Sequence, residues 1–169
     1  MAEIDIVVEC GFKSKKSVNF AKYVIKEYSS DETTPESFKE IEKKLVKNNY
    51  FVEELYIDGC SEFEVTGPFE IGDKIIGMNI WGGHGADDFF HDLAGILIEL
   101  DAQHIYAIYF HDDGFRWFDA LVDGQLKTIY SSDSGGDFDS LFFEEDALAQ
   151  FKELYKQKKP SLSTFLRLV

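Results

Sequence analysis

At 169 residues, 44% hydrophobic and 15% aromatic, the chain has the length of one domain and is too apolar for a disordered acidic tail. A domain of this size buries about 70% of its unfolded surface, so it needs neither a disulfide framework nor a structural metal. The net charge of −15 argues against binding DNA, RNA or anionic membrane, and no apolar run is long enough to span a bilayer.

The opening Glu3-Ile4-Asp5 lacks the basic-then-apolar plan of a secretion signal, and Cys10 and Cys60 match no zinc spacing. A reducing, cytoplasmic setting without a cofactor is therefore expected.

In chain order, Ile4, Ile6 and Val8 alternate as a first strand ending near Cys10-Gly11. Val18, Ala21, Val24, Ile25 and Tyr28 have helical spacing, with Ser17 as the expected cap. A second helix follows, with Thr34 as N-cap, Pro35 in its first turn and Phe38, Ile41, Leu45 and Val46 as its stripe; it stops at Asn48-Asn49. Residues 50–57 read as a strand closed by Asp58-Gly59, and the next strand, around Phe63 and Val65, is expected to end at Gly67-Pro68. A strand over 74–81 runs into Gly82-Gly83-His84-Gly85 and the clearest helix of the chain, 87–100. A meander comes next: 104–110, the turn Asp112-Asp113-Gly114, 115–122, the turn Asp123-Gly124, and 125–130. An acidic loop, a helix over 144–156 and an apolar tail beyond Pro160 complete the order β-α-α-β-β-β-α-β-β-β-α. This predicts one α+β domain over 1–169, a mostly antiparallel sheet with helices packed on one face.

Charge is segregated along the chain. Residues 1–50 are balanced, whereas residues 51–150 set Lys74, Arg116 and Lys127 against 22 acids. Surfaces built for solubility alone usually mix signs; a field of one sign attracts a basic partner.

No motif fixes a reaction. His84, Asp87, Asp88 and His91, with His111 as a further candidate, are the residue types that hold zinc, iron or manganese, but their spacing fits no established metal motif. The glycine loop at 82–85 resembles a phosphate cradle, yet Asp87 and Asp88 occupy its dipole site and no Walker lysine follows. Asp133, Asp137, Asp139, Glu144 and Glu145 gather carboxylates but fail the calcium-loop pattern at its third and sixth positions. No nucleophile elbow is present, and the lysine clusters at 13–16 and 156–159 are too small for nucleic acid.

Aromatics interleave with these acids: Phe115, Trp117, Phe118 and Tyr130 in the meander, Phe138, Phe142 and Phe143 around the loop. Aromatic anchors ringed by carboxylates suit recognition of a basic protein. The expected function is therefore a non-enzymatic inhibitor of a basic partner, such as an immunity protein against a nuclease toxin. Its expected contact residues are Asp112, Asp113, Asp123, Asp133, Asp137, Asp139, Glu144, Glu145, Trp117 and Phe138. Three alternatives stay open: a DNA-mimic inhibitor of a nucleic-acid-binding enzyme, a metal-dependent enzyme on the His84/Asp87/His91 cluster, and an oligomerising adaptor.

Overall fold

The computed structural model describes residues 3–30, 35–50, 63–83 and 85–132. Strand β1 (Ile4–Phe12) leads into helices α1 (Lys15–Tyr28) and α2 (Pro35–Lys47). Strands β2 (Phe63–Gly72) and β3 (Ile75–Gly82) precede α3 (Ala86–Glu99), and β4 (Ala102–His111), β5 (Arg116–Val122) and β6 (Gln125–Ser132) form the meander. The strands make one six-stranded antiparallel sheet in the order β2-β3-β1-β4-β5-β6. This is the expected α+β architecture. Because β3 and β4 both run antiparallel to β1, they are parallel to each other, and α3 is the crossover that parallel strands require.

Strand alternation sorts β1 into two faces. Ile6, Val8, Cys10 and Phe12 point into a core with Val18, Val24 and Ile25 of α1 and Phe90, Leu93 and Leu97 of α3, all buried. Burying one such side chain contributes about 1.5–3 kcal/mol over leaving it exposed. The odd positions Asp5, Val7, Glu9 and Gly11 lie on the second face. There the ring of His104 rests on Gly11, where an added Cβ would meet His104 Cε1 at 2.1 Å. His104 Nε2 stands 3.0 Å from a Glu9 carboxylate oxygen, and the ring stacks on Tyr106 at 4.7 Å. The pair is buried, with 7% and 0% of the side chains exposed.

Three local expectations change. The α1 cap is Ser14, whose hydroxyl accepts from Ser17 N; Ser17 lies inside the helix, buried against the Tyr50 hydroxyl at 3.2 Å. The Gly67-Pro68 pair does not end β2. The strand continues to Gly72 through a bulge between Thr66 and Phe69, a position open to proline because a bulged residue is released from the ladder to β3. Asp87 does not open the last described helix, which begins at Ala86 behind Gly85 in a left-handed conformation. The expected strand over 50–57 (its first residue, Tyr50, apart) and the helix over 144–156 lie outside the described residues. No described helix is long and apolar enough to cross a membrane.

Candidate functional site

Register decides where the acids gather. Ile4 pairs with Gly82 on one side and His111 on the other, so the start of β1, the loop into α3 and the β4–β5 turn share one end of the sheet. Asp112 N donates to Glu3 O at 3.1 Å, fastening the turn to the first described residue. Segments 3–5, 82–92 and 111–115 carry Glu3, Asp5, Asp87, Asp88, Asp92, Asp112 and Asp113 and no lysine or arginine; Arg116 is the next base. Lys13, Lys15, Lys74 and Lys127 lie toward the other end, where Lys15 and Lys22 pair with Glu70.

The expected contact residues are therefore divided. Asp112 and Asp113 sit at the acidic end. Asp123 occupies the β5–β6 turn, at the far end of a seven-residue strand, about 20 Å away. With φ 51° there and 76° at Gly124, the Asp-Gly pair is a tight hairpin turn. Trp117 is half-buried, stacked on Tyr109 at 4.3 Å against the core, so it is no free anchor. Asp133, Asp137, Asp139, Glu144, Glu145 and Phe138 lie outside the described residues, as does His84.

His91 does not join Asp87 and Asp88. Its ring turns toward the sheet, where Nε2 stands 3.5 Å from Asp119 Oδ2. Asp119 is only 3% exposed, and Thr128 donates to its other oxygen at 2.8 Å. A buried carboxylate needs donors, and it draws the imidazole more strongly than solvated aspartates on the same helix do. The hydrogen bond to Asp119 raises the His91 pKa above its ordinary value, burial opposing this and the charges of Asp119, Asp87 and Asp88 assisting. Burial and the neighbouring Asp119 carboxylate likewise push the Tyr109 hydroxyl far up. The result is a histidine with 53% of its side chain exposed, held from behind by a buried acid. Such an arrangement can orient one imidazole nitrogen outward, or simply tie α3 to β5.

Among the described residues, the three-ligand group is a different one. His111 Nδ1 lies 3.2 Å from Asp112 and 2.7 Å from Asp113, and the three ligand atoms fall within 4.8 Å of one another. Imidazole nitrogen with two carboxylate oxygens suits a divalent cation. The same contacts also serve the turn, since Asp113 accepts from Phe115 N at 3.0 Å.

Sequence reasoning missed Asp119, the Glu9–His104 pair and the exposure of Trp81. The signal for Asp119 was a lone acid between Phe118 and Ala120 in a strand otherwise free of charge after Arg116. No local signal marks Glu9–His104, whose partners are 95 residues apart. No family model matches the chain, and no curated protein or solved structure does either.

Proposed function

We propose that the protein is a non-enzymatic binding protein that engages a basic protein partner through the acidic end of its sheet, in the manner of an immunity protein holding a cationic toxin in check. One observation carries this: Glu3, Asp87, Asp88, Asp112 and Asp113 come from three distant stretches of chain to one end of the sheet, with no lysine in those stretches. A field of one sign at one end speeds encounter with an oppositely charged surface and orients it. Carboxylates that served solubility alone would be interspersed with lysine, whereas Arg116, which opens β5 opposite Phe110, is the base nearest these acids in the sheet.

The test uses a basic protein recovered on the full chain from extract at low salt and eluted by rising salt. Reversing Asp87, Asp88 and Asp112 to lysine is compared with reversing Asp73, Glu99 and Asp101, which alters net charge equally at the other end. Only the first set should slow association, and the wild-type rate should fall as salt rises to physiological strength, where exposed charges are screened beyond about 8 Å. Equal effects of the two sets, or a rate indifferent to salt, overturn the proposal.

A further inference from the structure

Among the described residues, Trp81 is the large aromatic side chain that the acidic end leaves in solvent. It is 48% exposed although it sits within β3, between two paired strands. On one side its cross-strand partner is Asp5 of β1; on the other it is Glu64 of β2. Directly opposed residues of antiparallel strands place their Cβ atoms about 4.5–5.5 Å apart, so a carboxylate flanks the indole on each side, all three on the second face. Among the described residues, the core offers no reason for this placement. An indole left half in water forgoes its burial, and two acids beside it enrich no packing.

Asp5 supplies an independent observation. Its Oδ1 is shielded from solvent and accepts no hydrogen bond. Burial raises its pKa, and a side-chain hydrogen bond with Asn79 opposes the shift. A half-buried carboxylate held by one amide keeps acceptor capacity for a further donor at its unpartnered oxygen, best a charged one.

We propose that Trp81, Asp5 and Glu64 form the seat for an arginine side chain of the basic partner, the guanidinium lying on the indole face and donating to the flanking carboxylates. Arginine fits better than lysine. Its planar, weakly hydrated cation stacks on an aromatic face and presents a fork of donors to a carboxylate, whereas an ammonium is a compact, strongly hydrated point charge. Tryptophan is the strongest aromatic partner for such a cation, and aromatic anchors carry much of the energy of protein interfaces. The inference rests on the proposed function and adds to it the side chain that is recognised.

The chain holds two tryptophans, so Trp117→Phe leaves Trp81 as the only one and its fluorescence as the readout. The probes are two capped peptides alternating glycine with three arginines or with three lysines, titrated at low salt into the full chain. The arginine peptide should quench and shift Trp81 emission and bind several-fold tighter than the lysine peptide. Trp81→Leu, followed by calorimetry, should weaken arginine-peptide binding about tenfold and remove the preference over lysine. Asp5→Asn and Glu64→Gln should each weaken it too, with circular dichroism confirming the fold. If the peptides bind, respond to charge reversal at Asp112 and Asp113, and ignore Trp81→Leu, the seat is overturned while the acidic-end reading stands. If neither peptide binds the wild type, both fall.

Discussion

His91 and Asp119 form a half-open pair: a carboxylate within the sheet, 3% exposed, holds an imidazole on the first turns of α3 at 3.5 Å. Their positions are 28 residues apart, and the contact ties the crossover helix to the fifth strand of the sheet order.

The pair predicts a pH-dependent contribution to stability. The folded His91 pKa is raised, so the stabilisation is complete below the unfolded value near 6.5 and is lost as pH rises through the folded value. The imidazole is half exposed, so screening limits the effect to about 0.5 kcal/mol. Urea unfolding of wild type and His91→Gln should show the larger difference at about pH 5.5 and a smaller one at about pH 8.5. A difference that grows with pH would contradict the pairing.

Gly11 is predicted to be intolerant of alanine. The new Cβ would overlap the Cε1–Nδ1 edge of the His104 ring and push it off Glu9, at a cost of about 1–3 kcal/mol. His104→Ala alone should cost about 1–3 kcal/mol, because it removes a hydrogen-bond partner of a buried carboxylate. Adding Gly11→Ala to His104→Ala should then cost much less than Gly11→Ala in the wild type. Additive costs in denaturant melts would show that the two positions do not meet.

Cys10 should be chemically inert in the native protein. Burial, with the charge of Glu9 assisting, pushes its thiol far above the ordinary range, and only the thiolate is a nucleophile. Iodoacetamide at neutral pH, read by peptide mass mapping, should leave Cys10 unmodified until urea unfolds the chain. Rapid native labelling would place Cys10 at the surface.

Asp123 and Asp112 should separate by function despite their similar sequence setting. Asp123→Asn keeps the turn, since asparagine accepts positive φ, and should leave capture of the basic partner unchanged; Asp123→Val should cost about 1 kcal/mol of stability. Asp112→Asn with Asp113→Asn should weaken capture and leave the β5–β6 turn intact. Equal loss of binding from Asp123→Asn would remove the distinction between the two ends.

Much of the local structure is legible in the chain. Alternation in Ile4-Asp5-Ile6, the apolar stripe from Phe89 to Leu97 and the Asp123-Gly124 turn each report their element, because side-chain period and positive φ are properties of neighbouring residues. The Ser14 cap and the passage of β2 through Pro68 were not legible: both depend on what the next element leaves uncovered. Serine at 14 and at 17 look alike until the core takes one of them, and proline breaks a strand only where its N–H is wanted.

The sign and bulk of the charge follow from composition, and so does the expectation of a basic partner. Where that charge points does not. β1 lies at the centre of the sheet with β3 and β4 beside it, and that order alone brings Glu3, Asp87 and Asp112 to one end and sends Asp123 to the other. Strand order and register are long-range choices, set by which hydrophobic faces must be covered together, so residues far apart in the chain acquire a common surface only once the sheet has closed around its core.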